Sequence, residues 1–170
     1  MSRDLSYLEP SVRTKVAKGL ELCRSRGLDV LIYQTYRSFE EQAAEYAKGR
    51  TMPGVNPTTK NPKGSPVTWA KPGESWHQWG RAIDLVPMRN GKAIWGTSGN
   101  GVDTNPADDA TDDLELWERV AACFKEAGLQ WGGDWPKGKQ DFPHFQDPGP
   151  WTIRGLLAKY PKGLKPGAFV

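Results

Sequence analysis

The 170-residue chain is predicted to adopt an α+β fold, a small and mainly antiparallel sheet with helices packed on it. Three patterns lead to that expectation. Apolar residues recur at helical spacing in two stretches, Val12, Val16, Leu20 and Cys23, then Leu114, Trp117, Val120, Ala121 and Phe124. Two β-branched and aromatic runs, "LDVLIYQTY" and "RAIDLVPM", read as strands. Nineteen Gly and fourteen Pro punctuate the chain, which suits short elements joined by turns. No internal repeat or linker divides it, so residues 1–170 are read as one domain, helices first and strands after.

The first helix is expected over residues 10–26, with Pro10 in its first turn and Gly27 as its stop. Residues 28–36 form a buried strand. Ser38 then caps a second helix through Lys48, because Glu41 stands three residues on, at capping-box spacing, and Gly49 ends it. Residues 50–75 lack periodicity and read as a long ordered surface loop. A strand over 81–88 leads through the turn signal "RNGK" to "AIW". The third helix closes at Gly128. "LQWGGDW" and "FPHFQ" read as short strands, and "TIRGLLAKY" as a last short helix.

Composition excludes several classes. Apolar content of 37% is that of a globular chain, not a disordered one. A net charge of +3 would favour an anionic surface, but selects none; no nucleic-acid partner is expected. The N-terminal "MSRDLSYLEP" has no apolar core of a secretory signal, and no run is long enough to span a bilayer, so synthesis as a soluble cytosolic product is expected. Cys23 and Cys123 form no C-x-x-C pair and read as small buried apolar residues on helices.

Only two histidines occur, His77 in "GESWHQWGRAID" and His144 in "DFPHFQD", both beside aspartates. A catalytic zinc site takes three protein ligands and leaves a fourth position for water. His77, Asp84 and His144 supply two imidazoles and a carboxylate for such a site. Gly80 permits a turn after His77, and Asp84 can face the same pocket from the following strand. Asp141 can serve as the base; for its carboxylate to meet His144 it must lie on the turn before the strand, since residues three apart on a strand face opposite ways. Arg37, at a strand end, can oppose a developing oxyanion, with Gln34 assisting. Taken singly, each of these residues has a plainer reading: a hydrogen-bonded histidine, a salt-bridge arginine, a turn aspartate.

Together the motifs carry a resemblance. "SWHQWGRAID" fits S-x-H-x-x-G-x-A-x-D through Ser75, His77, Gly80, Ala82 and Asp84, and "DFPHF" supplies an acid three residues before a histidine. With "TYRSFEEQAAEYAKGR", "VTWAKPGES" and "GLQWGGDW", the stretch from about residue 28 to residue 147 resembles the L-alanyl-D-glutamate endopeptidases of the D-alanyl-D-alanine carboxypeptidase-like zinc peptidases, the type found as bacteriophage endolysins. The resemblance implies Zn2+ ligands at His77, Asp84 and His144, a catalytic carboxylate at Asp141, and a substrate-holding arginine at Arg37. Ser75 matches a motif position near the site with no fixed role. It also implies the sheet-and-helix fold shared with lysostaphin-type peptidases and the hedgehog signalling domain. The implied reaction is hydrolysis of the L-Ala–D-Glu bond of the peptidoglycan stem peptide. The dipeptidase branch carries Glu where Asp141 stands, so the endopeptidase branch is favoured. A monomeric enzyme without a wall-binding domain is implied, reaching the wall through a holin-type lesion. The competing readings are a D,D-carboxypeptidase or dipeptidase of the same superfamily, and a non-catalytic wall-binding module.

Weaker signals remain. Asp103, Asp108, Asp109, Asp112 and Asp113 could gather calcium, although a solvated loop with Asp112 capping the third helix is the plainer reading. Lys159, Lys162 and Lys165 make a basic tail suited to an anionic envelope. Trp76, Trp79, Trp131 and Trp135 cluster around the motifs as core or groove lining.

Overall fold

A computed structural model describes residues 2–97 and 113–168. Helix α1 spans Pro10–Ser25, with the Glu9 carboxylate accepting from the Ser11 and Val12 amides. Strand β1 is Asp29–Gln34, shorter than the expected 28–36, and of its residues only Gln34 is buried, so it is not the buried strand expected. Helix α2, Phe39–Ala47, starts on the expected capping box: Ser38 Oγ accepts from the Glu41 amide, and Glu41 accepts from the Ser38 amide. Strand β2 is Ala82–Arg89 and β3 is Lys92–Ala93. Between them Asn90 and Gly91 adopt φ of 51° and 74°, as a tight hairpin turn requires. Helix α3 is Asp113–Glu126, strands β4 and β5 are Gln130–Trp131 and His144–Gln146, and helix α4 is Ile153–Lys159. Helices and strands thus alternate along the chain; they do not fall into helices first and strands after. The acidic residues Asp103, Asp108 and Asp109, weighed as a solvated loop or a calcium site, and the Asp112 cap lie outside the described residues. Asp113 opens α3 and accepts from Arg89 Nη1 at 2.8 Å.

The sheet runs β1-β2-β5-β4, with β3 also on β2, and every pairing is antiparallel. Strand β2 is therefore interior, and its first six residues are buried on both faces. One face packs on α1 and α3. Ile83, Leu85 and Phe145 meet Val12, Val16, Trp117, Val120 and Phe124 there in one apolar cluster. Phe145 is fully buried, its ring 5.1 Å from Phe124 and 6.3 Å from Trp131. Burying such a side chain contributes about 1.5–3 kcal/mol. Cys23 and Cys123 are buried, unpaired thiols in this layer. Burial, reinforced by the neighbouring Cys123, pushes the Cys23 thiol up to about 12. Among the described residues no helix is long and apolar enough to cross a membrane.

The pairing of β1 with β2 contains one irregularity. Ile32 opposes Leu85 and Gln34 opposes Asp84, so Tyr33 and Gln34 together face a single residue of β2. This is a β-bulge, and it sits at the end of the strand nearest Asp84.

Candidate metal centre

Asp84 lies at the middle of the sheet and His144 is its direct partner on β5. In antiparallel pairs, opposed residues project to the same face, so the ladder itself brings this carboxylate and imidazole together. His77 arrives from a 3-10 turn, Trp76–Trp79, ended by Gly80 at φ 65°. A side chain at Gly80 would also put its Cβ 2.8 Å from the Tyr7 carbonyl oxygen. The sharp reversal after His77 thus needs glycine on both counts.

His77 Nε2 lies 3.1 Å from Asp84 Oδ1 and His144 Nδ1 lies 3.3 Å from the same oxygen. All three ligand atoms fall within 4.8 Å of one another. Zinc bonds of about 2.0–2.1 Å set tetrahedral donors about 3.3–3.4 Å apart, which the two measured edges match closely. The opposite ring nitrogens decide the tautomers. His77 Nδ1 donates to the Thr35 carbonyl at 2.7 Å, and His144 Nε2 donates to Gln146 Oε1 at 2.9 Å. Gln146 Nε2 is spent on Gln130 Oε1 at 3.0 Å, which fixes the oxygen of Gln146 toward the histidine. With both ring protons held outward, three lone pairs converge on one point. That arrangement repels itself unless a cation or added protons occupy the centre, so the donor set fits a divalent metal. Side-chain exposure is 3% at His77, 12% at Asp84 and 9% at His144, so the centre opens on the Asp84 and His144 side.

The electrostatics follow. Burial opposes ionisation of Asp84, but His77 and His144 outweigh it and hold the carboxyl well below the ordinary range. Burial also disfavours the charged His144, and the hydrogen bond and charge of Asp84 more than reverse this, raising its pKa. Asp141 shifts upward: burial leads, Asp84 adds to it, and the charges of His144, His77 and Arg37 oppose it. Asp141 is nonetheless an exposed residue. Asp141 stands, as required, before the turn into β5, and its carbonyl accepts the His144 amide at 3.2 Å. Gly132 makes that turn fit; a Cβ there would lie 2.3 Å from the Asp141 carbonyl oxygen and 3.2 Å from His144 Cβ.

Arg37 Nη2 sits 3.8 Å from Asp84 Oδ2. Its Nη1 donates to Gln42 Oε1 and its Nη2 to Gln34 Oε1, each at 2.8 Å. Gln34 is 3% exposed and holds the arginine; its Nε2 and Arg37 Nε are buried donors with no acceptor among the described residues. Ser75 opens the 3-10 turn, where its amide donates to Gln78 Oε1 at 3.2 Å, and no described hydrogen bond ties it to the His77–Asp84–His144 group. Of the four tryptophans around the motifs, Trp79 and Trp131 are buried, and the Trp135 ring lies 5.3 Å from that of His144.

Several participants escaped sequence reasoning. Gln146 was legible in principle, two residues beyond His144 on one strand face. Thr35 acts through its carbonyl, which no residue type reveals. Gln42 and Tyr33 carry no motif. Burial, followed by the charges of Asp84 and Asp141, holds the Tyr33 phenol well above its ordinary range, with Arg37 opposing.

Over 142 residues the chain is 34% identical to the peptidoglycan L-alanyl-D-glutamate endopeptidase CwlK of Bacillus subtilis (strain 168), covering 83% of this chain and 74% of that protein. The chain belongs to the M15 metallopeptidase family. The profile described as D-alanyl-D-alanine carboxypeptidase matches residues 69–147, which span His77, Asp84, Asp141 and His144. This M15 chain is also 29% identical over 146 residues to the L-alanyl-D-glutamate peptidase of Listeria phage A118, covering 84% of this chain but 39% of the phage protein. Two solved structures share the fold. The Serratia marcescens L-Ala D-Glu endopeptidase ChiX superposes with a TM-score of 0.51 at 19% identity, covering 92% of this chain and 86% of its own. The D,D-pentapeptidase VanY E175A mutant, in complex with Zn(II), gives 0.55 at 17% identity, covering 90% and 77%. As an M15 member the chain is a peptidase, and His77, Asp84 and His144 form its candidate metal centre.

Proposed function

We propose that this chain hydrolyses the bond between L-Ala and D-Glu in the peptidoglycan stem peptide, using Zn2+ held by His77, Asp84 and His144. The observation that carries this reading is the set of three lone-pair donors aimed at one point, each ring proton spent outward on Thr35 or Gln146. The choice of bond is supported by the names of CwlK and the phage A118 enzyme. Zinc bound there supplies a Lewis acid for the scissile carbonyl and for water.

The remaining work falls to the chain. Asp141 accepts the proton of the attacking water and passes it to the leaving amine. Arg37 is fixed by Gln34 and Gln42, and its charge opposes the negative charge that develops on the carbonyl. Ser75, two residues before His77, contacts substrate at the approach to the site. On this reading a monomer suffices for the metal site, since one chain supplies all three candidate ligands. Its setting is phage lysis of the host, acting on the wall after a holin-type lesion, and the phage relative supports that setting.

Digestion of purified peptidoglycan followed by mass spectrometry tests the reading. New D-Glu amino termini are expected. Release of D-Ala would instead assign a D,D-carboxypeptidase, and wall binding without cleavage would assign a non-catalytic module. Asp141→Asn is expected to lower cleavage by about 10²–10⁴-fold with zinc retained.

A further inference from the structure

The bulge in β1 changes which residues line the site. In a regular strand Tyr33 would project away from Gln34, but here both oppose Asp84, and residues 1 and 2 of such a bulge project to nearly the same side. Strand β1 thereby adds a phenol to the wall that carries Asp84 and Gln34. Its ring packs at the edge of the core and meets Trp95 edge-on, with centroids 5.2 Å apart and planes at 62°. Trp95 itself is 62% exposed, so the pair stands at the border between core and solvent. The Tyr33 hydroxyl has no hydrogen-bond partner among the described residues, and it is not one of the buried atoms lacking a partner.

Other donors near the trio are partly committed: each terminal nitrogen of Arg37 already gives one proton to a glutamine oxygen, and Arg37 Nε and Gln34 Nε2 are fully buried. A peptide carbonyl that becomes tetrahedral needs a donor aimed at its oxygen, in addition to any metal. A neutral phenol meets that need at any pH where the enzyme works.

We propose that Tyr33 contacts the substrate, its hydroxyl donating a hydrogen bond to the scissile carbonyl oxygen as that oxygen gains negative charge. This rests on the peptidase reading above. Arg37 then acts as fixed positive charge behind the site, and Tyr33 as the direct donor.

Tyr33→Phe tests this, since it removes the oxygen and keeps the ring against Trp95. With a stem-peptide substrate, kcat is expected to fall about 10²-fold, within the range for loss of one such donor, while KM changes less than about threefold. Zinc content and melting temperature should match wild type. Binding of a phosphinate stem-peptide analogue, measured by calorimetry, should weaken by the same factor as kcat/KM, because the analogue places an anionic oxygen where the donor points. An unchanged kcat, or a loss confined to KM, overturns the assignment. The wild-type reaction separates the two readings: wild-type cleavage with an equally active Tyr33→Phe removes only the Tyr33 role, whereas a wild type that cuts no stem-peptide bond removes both.

Discussion

Gln146 offers a direct handle on the metal centre without touching a ligand. Its Oε1 accepts the His144 Nε2 proton at 2.9 Å, and its amide nitrogen is occupied by Gln130 at 3.0 Å. Gln146→Leu removes the acceptor and leaves the strand pairing with Ala82 intact. The ring proton then gains by moving to Nδ1, where Asp84 Oδ1 waits 3.3 Å away. In that tautomer the lone pair points away from the centre, and a metal must first reverse it. Loss of an outer acceptor of this kind costs about 10–100-fold in metal affinity, equivalent to about 1.4–2.7 kcal/mol. Competition against a coloured chelator would measure zinc affinity for wild type, Gln146→Leu and Gln146→Glu. The leucine variant should bind about 10–100-fold more weakly, while glutamate, a stronger acceptor, should bind at least as tightly as wild type. Leucine and wild-type affinities within about threefold of each other would refute the tautomer argument.

Three further outcomes are expected. In metal-free protein the raised His144 pKa contributes stability that is fully present below about 6.5 and is lost as pH rises through the folded value, while the depressed Asp84 contributes stability present above about 3.9 and lost on acidification. Calorimetry from pH 6 to 8, chosen around those values, should therefore show a falling metal-free melting temperature and a growing increment on adding zinc. Gly132→Ala forces its Cβ against the Asp141 carbonyl, 2.3 Å away before relaxation, so stability should fall by about 1–3 kcal/mol in denaturant titrations and hydrolysis by about 10²-fold. Ser38→Ala removes the cap of α2, and the same titrations should register a loss of about 1 kcal/mol.

Elements with a local cause were legible in the sequence. The capping box at Ser38 and Glu41, the stripe of α1 and the Asn90–Gly91 turn each follow from residues within a few positions, and the structure has them where they were expected. Strand ends were less legible: the β-branched and aromatic run reads as a strand to Tyr36, yet pairing stops at Gln34 because Thr35 turns to the chain start, its amide donating to the Ser2 carbonyl. The grouping of His77, Asp84 and His144 was suggested by residue chemistry and motif spacing, since a strand follows His77 closely. The groups that orient them were not, because the Thr35 carbonyl and the Gln42 and Gln146 amides are ordinary in type and acquire their roles from tertiary contacts. The bulge at Tyr33 depends on how β1 meets β2 and leaves no local mark.

Asp84 and His144 occupy the same rung of the ladder, sixty positions apart in sequence. Slipping that pairing by one residue would turn one donor to the opposite face and abolish the site. Cobalt(II), whose visible colour reports tetrahedral coordination, would therefore tint only molecules whose interior strands have docked in correct alignment. Stopped-flow absorbance during refolding would thus time the assembly of the sheet centre separately from helix formation followed by circular dichroism.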